Sequence, residues 1–195
     1  MYLYGASGHA KVVIDIIKSM GAPIDGIFDD NDAVKTLCEI EVNHKWSDQS
    51  PVIISIGNNR IRKLISERLS CEFDKAVHSS AVISPTASIG DGTVVMAGAI
   101  INAEVNIGKH CIINTGASID HECAISDFVH IAPHSTLCGN VQVGEGSWVG
   151  AGTTVIPGIK IGKWCTIGAG AVVIRDVPDN SVVAGVPAKV IKFNK

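Results

Sequence analysis

The sequence predicts a parallel β-helix preceded by a small Rossmann-like α/β domain. Three observations carry this reading. A six-residue repeat runs unbroken from Val77 to Val173, a second series of small residues keeps register with it, and residues 1–75 show neither.

Every sixth residue from Val77 is branched aliphatic: Val77, Ile83, Ile89, Val95, Ile101, Ile107, Ile113, Ile119, Ile125, Ile131, Leu137, Val143, Val149, Val155, Ile161, Ile167 and Val173. Four residues after these positions comes a mostly small or β-branched series that includes Ala81, Ala99, Cys111, Ala117, Cys123, Ser135, Thr153, Cys165 and Ala171. Neither series holds a charge. A period of six matches neither the 3.6 of a helix nor plain strand alternation. It fits a coil of three short strands, 18 residues per turn, whose coils stack about 4.8 Å apart and bury apolar side chains only against their neighbours. Gly90, Gly108, Asn114, Asp120, Gly144, Gly150, Gly162 and Gly168 directly follow aliphatic positions, and these residue types suggest that the positive φ of each corner falls there.

Residues 1–75 read as a small βαβ-type unit, roughly half a Rossmann domain. Met1–Gly5 suggests a buried strand, and Ala10–Met20 a helix with Val12, Val13, Ile16 and Ile17 at helical spacing. Ile24–Phe28 and Val52–Ile56 suggest further strands, and Ile61–Leu69 a second helix. The strands end in Gly5-Ala6-Ser7-Gly8-His9, Asp29-Asp30 and Gly57-Asn58-Asn59. Ligands of parallel α/β sheets bind at such strand ends, and phosphates favour helix N-termini. The dinucleotide fingerprint is incomplete, because Ser7 stands where its second glycine would be. The expected division is 1–75 for this domain, 76–178 for the β-helix and 179–195 for a C-terminal cap.

Composition excludes several classes. Net charge is −3 with no basic cluster, which argues against nucleic acid. No apolar run approaches the roughly 20 residues of a membrane span, and the N-terminus lacks signal-peptide character, so a cytoplasmic protein is expected. No Cys-x-x-Cys occurs among the six cysteines. Cys111, Cys123 and Cys165 fall in the small inward series and read as core; Cys138 follows Leu137, and Cys38 and Cys71 lie outside the repeat.

The repeat resembles that of the hexapeptide acyltransferases, and the resemblance implies a left-handed, trimeric prism. The whole chain is similar to bacterial sugar acetyltransferases, a group that includes UDP-4-amino-sugar N-acetyltransferases and sialic acid O-acetyltransferases. The matching stretches are Tyr-Gly-Ala-Ser-Gly-His (4–9), Phe-Asp-Asp (28–30), Ile-Gly-Asn-Asn (56–59), Asp-His-Glu-Cys (120–123) and Ala-Gly-Val-Pro-Ala-Lys (184–189). The resemblance implies acetyl-CoA as co-substrate, a nucleotide-linked 4-amino-4,6-dideoxy sugar as acceptor, and a place in bacterial surface polysaccharide or glycan synthesis. It puts Gly8, His9 and Ala10 near the sugar nucleotide, although Ala10 is commonly glycine in relatives. Asp29, Asp30, Gly57 and Asn58 would surround the base or phosphates. The nucleotide itself (UDP, dTDP or GDP) is left open.

Acetyl transfer from a thioester needs a base for the nucleophile's proton, and histidine suits that task. Among seven histidines, His121 directly follows the corner-type Asp120 and precedes Glu122, whose carboxylate is placed to orient the ring. One coil above and below, Gly139 and Ala103 leave the imidazole room. By spacing alone His121 is either a solvated corner residue or a base; the resemblance makes His121 and Glu122 the catalytic pair. His130 lies one and a half hexads on, so one prism does not bring both histidines together, and the implied site lies between subunits of a homotrimer. The resemblance gives His130 a contact to acetyl-CoA, with Gly139, Ala151 and Ala169 as close backbone contacts. Asn114 is a weaker acceptor-site candidate, and His134 has no assigned role.

Three rival readings use the same residues. O-acetylation of a sugar of the sialic acid type is the nearest. A zinc β-helix enzyme would need three converging histidines, and His121, His130 and His134 lack the spacing to stack as ligands, so no metal is expected. A non-catalytic sugar-nucleotide binder is the third.

Overall fold

The computed structural model describes residues 1–194. In the N-terminal domain, β1 (Tyr2–Tyr4), β2 (Gly26–Phe28), β3 (Thr36–Leu37), β4 (Ile40–Asn43) and β5 (Val52–Ile54) form one sheet in the order β3-β4-β2-β1-β5. All pairs are parallel except the β3–β4 hairpin. That hairpin is absent from the sequence reading, because Thr36-Leu37 and Ile40-Glu41-Val42-Asn43 are too short and polar to show a pattern. Helices α1 (Gly8–Ser19) and α2 (Asn59–Arg68) begin two residues earlier than expected.

The buried strip of α1 is Ala10, Val13, Ile14, Ile16 and Ile17, while Val12 turns outward. Val12 was expected inside; the 10-13-14-17 spacing places Ile14 there instead. This strip packs on Ala76, Val94, Met96 and Ile112 of the prism. The small domain is therefore seated on the first coils of the β-helix through a continuous apolar contact.

The prism is a left-handed parallel β-helix of just under six coils. Its first face begins at Ala76–Val77 and repeats at Val94–Val95, Ile112–Ile113, His130–Ile131, Trp148–Val149 and Thr166–Ile167. Its second face runs from Val82–Ile83 to Val172–Val173, and its third from Ser88–Ile89 to Lys160–Ile161. Partner residues are 18 apart throughout, as the repeat requires. Ser181–Ala184 extends the first face in parallel and pairs antiparallel with Lys189–Phe193 to end the stack.

Nearly all of the aliphatic and small series line one buried core. Cys111, Cys123 and Cys165 are buried there, with thiols donating to the carbonyls of Ser126 (3.1 Å), Cys138 (3.2 Å) and Pro178 (3.1 Å). Burial pushes the Cys111 thiol up to about 12, which removes it as a nucleophile.

The corners correct one expectation. Positive φ falls three residues after the aliphatic position, at Gly92, Gly98, Glu104, His110, Gly116, Glu122, Phe128, His134 and onward, and not on the residue that follows it. Gly90, Gly108, Gly144 and Gly162 are glycine for another reason. A Cβ on Gly90 would stand 2.6 Å from the Gly108 backbone one coil up, and one on Gly144 2.6 Å from that of Gly162. Close stacking excludes a side chain there, so the positive-φ task passes to the third position, where larger residues also occur.

Candidate active site

His121 and Glu122 form the turn between the strand Ser118–Ile119 on the second face and Ala124–Ile125 on the third. The Asp120 carboxylate accepts the His121 backbone N–H (2.8 Å) and the side-chain amide of Asn102 one coil below (3.0 Å), which anchors the turn. Those two hydrogen bonds hold the Asp120 carboxyl below the usual carboxylate range. Glu122 takes the positive-φ position at +60°, and its N–H donates to the Ala103 carbonyl (3.0 Å). A non-glycine residue there carries a cost of about 1–2 kcal/mol, and the return is orientation. Glu122 Oε2 lies 2.9 Å from His121 Nδ1. The carboxylate thereby fixes the tautomer with a proton on Nδ1, leaving Nε2 as the basic atom. Both side chains are more than half exposed, at 56% and 59%.

Gly139 is buried against the His121 ring: a Cβ there would lie 2.6 Å from Cε1 and from Nε2. The room expected around the imidazole is real only because position 139 has no side chain.

A second cluster forms where the small domain meets the first face. His130 points outward from its strand into a cavity of about 510 Å³ that Gly57, Asn58, Arg60, Trp148 and Trp164 also line. Its Nε2 accepts from Asn114 Nδ2 (3.0 Å), and Asn114 Oδ1 accepts the Thr115 N–H (2.8 Å). Both ends of Asn114 are thus engaged in holding the His130 ring. Burial, then Arg62, then His9 push His130 down to about 3. His9 falls to about 4 through burial and Arg62, and its Nε2 is a buried atom without a hydrogen-bond partner among the described residues. Both rings are neutral at physiological pH.

The remaining predicted residues divide between these clusters. Gly8 opens α1 and is exposed, whereas Ala10 is fully buried with its N–H donating to the Ser7 carbonyl (3.1 Å). Asp29 organises the glycine turn, since Oδ2 accepts the Ala6 N–H (2.6 Å) and Oδ1 the Asn31 N–H (2.8 Å). Asp30 accepts from the Tyr4 hydroxyl and pairs with Arg68 (2.9 Å). Ala151 and Ala169 lie exposed one coil apart at the corner between the first and second faces, and their N–H groups donate to nothing among the described residues. Free amides beside small side chains suit a polyamide chain laid along that edge. His134 covers Gly116, where a Cβ would meet its Nδ1 at 2.5 Å.

Within one chain, then, His9, Gly57, Asn58, Asn114 and His130 come together. His121, Glu122 and Gly139 form a separate corner. The sequence reading missed Arg62, Trp148 and Trp164. The two tryptophans occupy outward or corner positions of the repeat, a signal available from register, but nothing marked Arg62 apart from other helix residues. Among the described residues no three His, Cys, Asp or Glu side chains are grouped to hold a metal ion, and no helix is long and apolar enough to cross a membrane.

Comparison with known proteins gives consistent matches. Residues 1–69 match the family described as the PglD N-terminal domain, and residues 140–175 the bacterial transferase hexapeptide family. A perosamine N-acetyltransferase from Caulobacter crescentus, solved as a histidine-to-asparagine variant with CoA and GDP-perosamine, is 37% identical with a TM-score of 0.90, over 98% of this chain and 96% of that one. The acetyltransferase domain of PglB from Neisseria gonorrhoeae FA1090, in complex with acetyl coenzyme A, is 36% identical with a TM-score of 0.91, over 97% and 98%. The UDP-N-acetylbacillosamine N-acetyltransferase of Bacillus subtilis (strain 168) is 42% identical over 49% of this chain and 50% of its own length. The chain thus spans about half of that curated relative, and 21% of another, an uncharacterised protein of Acanthamoeba polyphaga mimivirus.

Proposed function

The chain belongs to the hexapeptide-repeat sugar N-acetyltransferases, and from that premise we propose that it moves the acetyl group of acetyl-CoA onto the amine of a nucleotide-linked 4-amino-4,6-dideoxy sugar. The observation that carries the proposal is the His121–Glu122 pair at an open corner, with Nε2 free and Nδ1 held by a carboxylate. The amine nitrogen attacks the thioester carbonyl, His121 Nε2 accepts the amine's proton, and the C–S bond breaks to release the coenzyme thiolate, which takes that proton back from the imidazolium and leaves as the thiol. Glu122 stabilises the imidazolium that results. The strand-end turns hold the nucleotide: Gly8 and His9 at the start of α1, and Gly57 and Asn58 at the start of α2. Asp29 and Asp30 shape the base and phosphate end by fixing the turns around it.

The proposed assembly is a homotrimer with sites between subunits. The outward column of the second face is Val82, Ile100, Ser118, Thr136, Thr154 and Val172, which carries no charge, and Val82 and Ile100 are 63% and 41% exposed in a single chain. Packing copies through that face brings the His121 corner of one chain to the corner of the next that carries Ala151, Ala169 and Asn114. His130, Gly139, Ala151 and Ala169 then flank the acetyl-CoA, and the reaction is placed in the cytoplasm.

An acceptor panel tests this reading. UDP-, dTDP- and GDP-linked 4-amino sugars and a free hydroxylated sugar are each incubated with acetyl-CoA, and thiol release is followed. Release with an amino sugar is expected. Turnover of the hydroxylated sugar alone would establish O-acetylation instead.

A further inference from the structure

Arg62 sits in the first turn of α2 and is 1% exposed, yet among the described residues no carboxylate pairs with it. A buried cation without an anion costs several kcal/mol unless hydrogen bonds satisfy it fully. Here all five N–H donors find oxygens. Nη1 donates to the carbonyls of Ile56 (3.0 Å) and Gly57 (3.3 Å), Nη2 to Asn59 Oδ1 (2.8 Å) and the Phe128 carbonyl (3.1 Å), and Nε to the His110 carbonyl (2.7 Å). Asn59 continues the line, its Nδ2 donating to the Gly146 carbonyl (3.1 Å).

His110, Phe128 and Gly146 are 18 residues apart and share the positive-φ corner position, with φ of +53°, +60° and +68°. Their carbonyls form a ladder up one edge of the prism, and the Arg62–Asn59 pair grips three successive rungs. The other side of the same guanidinium grips the turn at Ile56 and Gly57. Gly57 in turn stands against His9, since a Cβ on it would lie 3.9 Å from the His9 Cβ, and it shares a cavity with His130. A lysine has three donors and no fork, so it cannot reproduce this pattern. An apolar side chain would fill the volume at lower desolvation cost, but it would leave the turn unconnected to the coils.

We propose that Arg62, extended by Asn59, is a positioning residue for acceptor binding: it registers the Ile56–Asn58 turn against the prism so that the turn and His9 form one nucleotide-sugar site beside His130. This rests on the reading of that turn as the nucleotide site. Arg62 touches no substrate; it acts through the carbonyls it holds.

The test compares wild type with Arg62→Lys and Asn59→Ala by calorimetric titration with UDP, dTDP and GDP, and separately with CoA, alongside steady-state kinetics. Wild type is expected to bind at least one nucleoside diphosphate. The variants should bind it about tenfold or more weakly and raise KM for the amino-sugar nucleotide, with CoA affinity and kcat at saturation within about threefold. Asn59→Ala keeps Arg62 in place and secures the comparison should Arg62→Lys fail to fold. Equal nucleotide affinity in folded variants would reduce Arg62 to a structural clamp and overturn the proposal. A parallel loss of CoA and nucleotide binding would do the same. Failure of wild type itself to bind any nucleoside diphosphate would overturn the nucleotide-site reading, and this inference with it.

Discussion

Glu122 Oε2 lies 2.9 Å from Nδ1 of His121, its neighbour in sequence, and the contact exists because Glu122 adopts a φ of +60°. Adjacent residues on an extended strand point to opposite faces and would not meet. The corner conformation turns the glutamate back beside the ring, so the proposed base and its orienting group come from a single dipeptide.

That relationship predicts graded losses. His121→Asn should lower kcat by about 10²–10⁴-fold, the range for removing a general base. Glu122→Gln keeps a hydrogen-bond acceptor near Nδ1 but removes the charge, and should cost about 10–100-fold. Both variants should melt within a few degrees of wild type. Full activity in His121→Asn would refute the assignment of the base.

Gly139→Ala tests the room that the ring requires. The new methyl would stand 2.6 Å from Cε1 and Nε2 of His121, so the imidazole must rotate or shift. Displacement by about 1 Å is enough for roughly a 10²-fold fall in kcat. Position 139 does not have positive φ, so alanine fits the backbone there and the melting temperature should change little. Unaltered kcat would show that the ring is not confined as described.

Acid sensitivity follows from three histidines around Arg62, of which His110 is buried and His9 and His130 are partly buried. Burial first, and Arg62 second, push His9 and His110 down to about 4 and His130 to about 3. The unfolded chain takes up their protons near pH 6.5, whereas the folded chain stays neutral at these sites until about pH 4. Stability is therefore complete above pH 6.5 and declines as pH falls toward 4, by up to about 2 kcal/mol per histidine at pH 5. Urea midpoints measured from pH 7.5 to 5 should fall accordingly. His110→Phe keeps the stack with Phe128, whose ring centroid is 5.2 Å away, and should flatten the slope. An unchanged slope in that variant would exclude His110 as a contributor.

The repeat was legible because its periodicity is enforced at every coil: a charge at Ile119 or Cys123 would be sealed inside the prism. Register alone also separated His121 from His130, since nine residues cannot bring a corner and a face together on one coil. Other features were hidden for physical reasons. The positive-φ position escaped notice because glycine has two causes here, and Gly90 and Gly108 reflect stacking rather than φ. Arg62 escaped because its partners are carbonyl oxygens, which leave no trace in residue type. Asn114 read as a weaker acceptor-site candidate, and residue type alone did not show that its side chain holds His130 and the Thr115 amide. The engagement of the Asp29 and Asp30 carboxylates by Ala6, Asn31, Tyr4 and Arg68 likewise depends on groups brought together only by the fold.

The seat of the small domain on Ala76, Val94 and Ile112 gives the coil number a meaning of its own. The prism works as a ruler with 18-residue graduations, each about 4.8 Å long. Inserting one whole coil between Ile112 and His130 would disturb no strand pairing and bury every aliphatic residue as before. The domain carrying His9 and Gly57 would nonetheless sit one graduation away from His130. Such a protein would fold and lack its site, so chain length within the repeat is under functional constraint even where the repeat itself is indifferent to it.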